Sequence, residues 1–294
     1  MAKTVFTGSG VAIVTPFDGN KINYDAFEKL IEFQIANKTD AIVVCGTTGE
    51  ASTMPDHEHI EAIKFTVNKV AKRVPVIAGI GSNDTEHGIN LCKEVAKSNV
   101  DAFLNVTPYY NKANASGLEQ HFRKMATCTD VPTILYNVPG RTGMSISLSV
   151  LVKLKDVDTI VGLKEASGNF SYTMEVAAKF SDRYDIYSGN DDLIVPVLSV
   201  GGKGVISVLA NVMPKETHDM CSLYFEGKVK ESAKLQLDLL ELINSLFIEV
   251  NPIPVKTALN LMGFDAGNLR LPLGEMDEAN KAKLISAMEK VNLI

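Results

Sequence analysis

Short apolar runs rich in β-branched residues alternate along the chain with longer stretches whose apolar positions recur every third or fourth residue. Eight such runs occur: "GVAIVTPF" from Gly10, "AIVVCG" from Ala41, "VPVIAGIG" from Val74, "AFLNVTP" from Ala102, "PTILYNVP" from Pro132, "TIVGLKEA" from Thr159, "YDIYSGN" from Tyr184 and "GVISVLA" from Gly204. Segments between them, such as "YDAFEKLIEFQIANK" and "EHIEAIKFTVNKVAK", have the spacing of amphipathic helices. Strand followed by helix, eight times over, predicts a parallel sheet; the count and chain length match a closed (β/α)8 (TIM) barrel, with a doubly wound open sheet as the alternative. From about residue 226 no strand-like run remains, and "GKVKESAKLQLDLLELINSLFIEV", "PVKTALNLMG" and "DEANKAKLISAMEKV" predict helices. The expected organisation is a barrel over residues 1–225 and a small helical C-terminal domain over 226–294. No Gly/Ser linker divides them, so the helices should sit firmly on the barrel.

Composition narrows the class. The 294 residues are 46% hydrophobic and carry a net charge of −6, which supports a sizeable core and argues against a nucleic-acid partner. No apolar stretch approaches the ~18 residues of a membrane span, and no leader pattern precedes the first run, so a soluble cytoplasmic protein without a membrane partner is expected. The four cysteines, Cys45, Cys92, Cys128 and Cys221, have neither disulfide-framework nor metal-ligand spacing, and Cys45 reads as a small core residue.

Barrel sites lie at the carboxyl ends of the strands, so the polar residues there are the candidates. They are Thr47, Thr48 and Glu50 in "GTTGE"; Ser82 and Asn83; Thr107, Tyr109 and Tyr110 in "TPYYN"; Tyr136, Asn137 and Arg141 in "YNVPGRTG"; Lys164 and Glu165; Gly189 to Asp192; and Ser207 and Asn211. None of the five histidines falls at a strand end, so a metal-dependent reaction is not expected. "HEH" at 57–59 lacks the spacing of a zinc helix and reads as a solvated helix start, and "GGKG" at 201–204 as a turn before the last strand.

Lys164 stands out because an amine ends an apolar run. Alternation along the strand groups Ile160, Gly162 and Lys164 on one face, with Gly162 leaving room beside the lysine stem. On the preceding strand Ile134 and Tyr136 have matching parity, which sets a phenol beside the amine. Burial favours the neutral form of an amine, and a neutral amine attacks a ketone to give an imine, an electron sink. The bland alternative is a strand-end lysine reaching solvent. Each remaining motif has a bland alternative too: "GTTGE" as a turn into a helix, the tyrosines as packing, Arg141 as a surface cation. An arginine above a barrel mouth also suits a carboxylate, because its planar fork meets both oxygens.

In combination and in this order, "GTTGE", "YNVP" and "GLKEASGN" resemble the signatures of the pyruvate-dependent class I aldolases, the family of dihydrodipicolinate synthases and N-acetylneuraminate lyases. The likeness runs from about Gly8 into the terminal helices. It implies a TIM barrel with a helical C-terminal domain, a homotetramer built as a dimer of dimers, no cofactor, and Lys164 as the Schiff-base residue for pyruvate. By the same resemblance Tyr136 moves protons, and Thr47 links it to Tyr110 from a neighbouring subunit. Thr48 and the main chain near Ile206 hold the pyruvate carboxylate, with Gly189 close by. The "YNVPxRTG" form is similar to the synthase branch, in which the arginine, here Arg141, engages the carboxylate of L-aspartate 4-semialdehyde on the route to diaminopimelate and lysine.

Two competing readings are a sugar-acid aldolase on the same barrel, against which Arg141 counts, and a non-catalytic keto-acid binder, which would have lost the lysine or the phenol. One departure concerns regulation. Family members inhibited by lysine use a histidine and a glutamate where this chain has Asp56 and His87; Asn83, His59 and Tyr109 match, and Ser52 lies in the same region. Exchanging the glutamate for histidine removes an anionic partner for a lysine ammonium, so weak or absent feedback is expected.

Overall fold

The computed structural model describes residues 4–294. Eight strands are formed where the apolar runs lie: β1 Gly8–Ala12, β2 Ala41–Val44, β3 Val76–Gly79, β4 Ala102–Val106, β5 Thr133–Asn137, β6 Ile160–Glu165, β7 Asp185–Ser188 and β8 Gly204–Ser207. Each pairs in parallel with its neighbours in the chain, and β8 returns to β1 through Gly8 opposite Gly204 and Gly10 opposite Ile206, closing the barrel. Both faces of such strands are covered, which is why the runs are almost continuously apolar. Four of the helices between them begin at side-chain caps: Asn23, Asp84, Asn114 and Asn169 accept hydrogen bonds from the first turns of the helices that follow them.

The barrel interior is filled by Ala41, Val43, Ile77, Leu104, Ile134, Tyr136, Val161, Tyr187 and Ile206, while Leu135, Ile160, Leu163 and Ile186 face outward against Phe122, Val176 and Phe180 of the helices. This corrects the alternation expected for β6. Thr133 pairs with Ile160 but Ile134 pairs with Gly162, so an extra residue enters β6 at this point. The bulge turns Ile160 outward and Val161 inward; beyond it the expected parity holds, with Tyr136 opposite Lys164. Periodicity alone cannot reveal an inserted residue. The histidine at 59 also departs from expectation: it is buried, and its Nε2 lies 2.8 Å from the carbonyl oxygen of Gly79, an anchor for its helix rather than a solvated start.

A small hairpin absent from the sequence-based reading, Phe17–Asp18 with Lys21–Ile22, follows β1 at the carboxyl end of the barrel. Phe17 pairs with Gly267 of the C-terminal segment, so that segment reaches the barrel mouth. Its helices are Val229–Asp238, Leu240–Ser245, Ile253–Leu261 and Glu278–Lys290, the first two replacing one expected helix. Leu242, Val255, Leu259, Leu284 and Met288 lie in the same buried cluster as Val11, Phe27 and Ile42, so the C-terminal helices and barrel share a core. Among the described residues no helix is long and apolar enough to cross a membrane.

A buried ion pair fastens the two parts. Lys256 Nζ donates to Glu50 Oε1 at 2.8 Å, with both side chains about 1% exposed, and to the carbonyl of Asn268 at 2.7 Å. Glu50 Oε2 accepts from the Arg270 amide at 3.0 Å, and Arg270 grips Glu58 with two bonds of 2.5 and 2.7 Å. The Phe17 ring lies 4.5 Å from Lys256 Nζ and 3.9 Å from the Arg270 guanidinium carbon. Burial pushes the Lys256 ammonium below its ordinary pKa, and the Glu50 carboxylate opposes that shift. Such a pair is costly to break, because the surviving charge has no water. Lys256→Met should lower unfolding free energy by about 3–5 kcal/mol in denaturant titrations, and adding Glu50→Gln should recover most of it.

Candidate active site

Lys164 lies near the carboxyl end of β6, 6% exposed, with Tyr136 beside it on β5 and Tyr187 on β7. Its Nζ is 4.3 Å from the centre of the Tyr136 ring. Below it, Tyr187 stacks on Phe6 with ring centres 4.5 Å apart and donates its hydroxyl to the Phe6 carbonyl at 2.7 Å, closing the interior beneath the lysine. The room at Gly162 is used by this packing: a Cβ there would lie 2.8 Å from the Asp185 carbonyl oxygen and 3.4 Å from the Tyr187 ring. Gly189 packs against the lysine itself, since a Cβ there would meet Lys164 Cε at 3.0 Å and Ala166 Cβ at 2.5 Å. Ile206 completes this wall from β8. The amine therefore rises through an apolar shaft into the mouth.

The outward faces of the same strands hold the loops. Asn137 donates to Glu165 Oε2 at 2.7 Å and accepts from the Ile146 amide at 2.9 Å, and Glu165 Oε1 accepts from the Ser167 amide at 2.7 Å. Burial raises the Glu165 carboxyl above its ordinary pKa, opposed by those donors. Within the loop so fixed, Thr107 donates to Thr142 at 2.8 Å, one residue beyond Arg141. Asp191, buried behind β7, accepts from the Val208 and Leu209 amides at 3.0 and 2.9 Å. Its pKa is raised by burial; Ser207, those amides and the positive charge of Lys164 pull the other way.

Thr48 and Arg141 are brought together by a residue that sequence reasoning missed. Asn251, just before helix Ile253–Leu261, donates its side-chain amide to Thr48 Oγ1 at 3.0 Å, and its carbonyl accepts from Arg141 Nη2 at 3.1 Å. The strand-end search could not find it, because "NPIPVK" belongs to the appended segment. The adjacent Thr47 is exposed, as is the body of Arg141.

Tyr110 is not part of this assembly within one chain. It is 93% exposed, with a left-handed φ of 71°, on a loop held by Asn83 donating to the Tyr109 carbonyl at 3.1 Å and Asn111 donating to the Asn83 carbonyl at 2.9 Å. Near this loop, His87 bridges two groups: its Nε2 is 2.9 Å from Asp56 Oδ1 and its Nδ1 is 3.0 Å from Ser82 Oγ. His59 is buried with its pKa lowered chiefly by desolvation, and Ser52 is exposed.

A closed eight-stranded parallel barrel with a buried lysine and a phenol at the carboxyl ends of its strands has the layout of a barrel enzyme whose chemistry lies at that face. The chain belongs to the dihydrodipicolinate synthetase family, whose model matches residues 5–291. A protein of Clostridium tetani named 4-hydroxy-tetrahydrodipicolinate synthase is 59% identical over 94% of this chain and 95% of its own. One of Clostridium novyi with the same name is 54% identical over 98% of both chains. The crystal structure of dihydrodipicolinate synthase from Aquifex aeolicus superposes with a TM-score of 0.96 at 41% identity, covering 98% of this chain and 99% of that one.

Proposed function

We propose that the protein acts in the cytoplasm as a 4-hydroxy-tetrahydrodipicolinate synthase, a lyase that joins pyruvate to L-aspartate 4-semialdehyde through a Schiff base on Lys164. The observation that carries this reading is the Lys164 amine held 4.3 Å from the Tyr136 ring at the end of an apolar shaft. Family membership supports it.

The Lys164 amine adds to the pyruvate ketone, and loss of water gives the protonated imine. That imine withdraws electrons, so a methyl proton leaves and an enamine forms. The enamine carbon attacks the aldehyde, and the new alkoxide takes a proton. The semialdehyde's own amine then attacks the imine carbon, closing the ring and expelling Lys164. Tyr136 serves as the proton carrier, linked through Thr47 to Tyr110 of the partner subunit in a homotetramer. Tyr110 being 93% exposed in one chain is in keeping with that assignment. Thr48 and the main chain at Ile206 hold the pyruvate carboxylate beside Gly189. Arg141 takes the carboxylate of the second substrate, a pairing suited to its planar fork.

Borohydride reduction with pyruvate should leave a covalent adduct on Lys164 in peptide mass mapping; an adduct elsewhere, or none, overturns the Schiff-base assignment. Tyr136→Phe should keep the fold and lower kcat by ~10²–10⁴-fold, whereas near-normal turnover removes the phenol from the mechanism. Lysine feedback should be weak or absent, since Asp56 already faces His87 at 2.9 Å and position 87 offers a lysine ammonium no carboxylate. Turnover assays with added lysine test this, and inhibition at micromolar lysine would refute it.

A further inference from the structure

We infer that Asn251 is a positioning residue that fixes the direction of the Thr48 hydroxyl and thereby sets how tightly the site holds the keto-acid carboxylate. This rests on the reading of Thr48 given above. Asn251 is 5% exposed, and its Nδ2 donates to Thr48 Oγ1 at 3.0 Å. A hydroxyl has one hydrogen and two acceptor positions. With an amide N–H filling one acceptor position, the Thr48 hydrogen is not spent on Asn251 and is free to point at an anion. The arrangement is cooperative, because a hydroxyl that accepts a hydrogen bond becomes a better donor.

Two further observations give this role a signature. Asn251 Oδ1 is buried without a partner, so among the described residues the bond to Thr48 is the only hydrogen bond made by the Asn251 side chain. Its loss is therefore felt at Thr48 before it is felt by the fold. The contact with Arg141, by contrast, uses the Asn251 main-chain carbonyl at 3.1 Å and survives any change of side chain. Substituting the side chain should thus weaken the grip on the keto acid and leave the grip on the second substrate's carboxylate in place. Asparagine also differs here from its isostere aspartate, which only accepts: Thr48 would turn its hydrogen toward the aspartate, and a second negative charge would face the substrate.

The test measures, in the full-length protein, the pyruvate concentration that gives half-maximal borohydride trapping, together with KM for both substrates. Asn251→Ala should raise the pyruvate half-saturation about tenfold and Asn251→Asp about 10- to 100-fold, with KM for the semialdehyde within about twofold. In a Thr48→Val background Asn251→Ala should add less than about twofold, because the hydroxyl it orients is gone. An unmoved pyruvate half-saturation overturns the inference. So does an equal rise for both substrates, or an undiminished effect in the Thr48→Val background. If Asn251→Ala does not fold, Asn251→Ser carries the same expectation. Failure to trap pyruvate in the unsubstituted protein overturns the Schiff-base reading and this inference together, whereas normal trapping with an unmoved half-saturation overturns the inference alone.

Discussion

Burial of every barrel strand on both faces is the constraint from which the site follows. A strand packed inside against other strands and outside against helices has no place for an ionisable side chain except near its ends. Lys164 sits at that limit, with its stem among Tyr136, Tyr187 and the bare backbone of Gly189, and only its head group reaching the mouth. Two absences of side chain shape this position. At Gly162 and Gly189 a methyl group would run into a carbonyl oxygen and the lysine stem, respectively, so the sheet can close around the amine only with glycine there.

The mouth is completed by the C-terminal segment. Glu50 stands at the end of "GTTGE", and its pairing with Lys256 fixes the loop that carries Thr48; five residues before Lys256, Asn251 reaches that same threonine and Arg141. The three contacts come from one short stretch, residues 251–256, so the appended helices act as part of the site's frame. An ion pair excluded from water adds little net stability over an apolar substitute, but it tolerates few alternative geometries. Here it holds the loop that carries Thr48.

The fold was legible because its signal is periodic. Eight apolar runs became eight strands within a few residues, and closure followed from their number. Thr48, Tyr136, Arg141, Lys164 and Gly189 could be named as candidates because strand ends are easy to locate in such a pattern, whereas Ile206 came only from the family resemblance. The sequence could not show the extra residue in β6, since an apolar run reads the same with or without a bulge, and inward and outward residues there are both apolar. It could not show Asn251, Lys256 or Tyr187 either. The first two act over more than 200 residues of separation, at 203 and 206 positions from Thr48 and Glu50, and Tyr187 looks like any buried aromatic until its hydroxyl is seen on Phe6.

Tyr110 is the candidate whose setting points beyond a single chain. A tyrosine in the left-handed region costs about 1 kcal/mol or more, and a phenol left 93% exposed gains nothing from burial in return. Asn83 and Asn111 nevertheless hold its loop by bonds to the main chain, so the ring is presented rather than loose. On the reading proposed for this site, a second copy of the chain removes the cost of exposure, and the fixed loop then aims the phenol at the neighbour's Thr47. Strain of this kind persists where the surroundings impose it, and on that reading they impose it on a residue that acts across a subunit boundary.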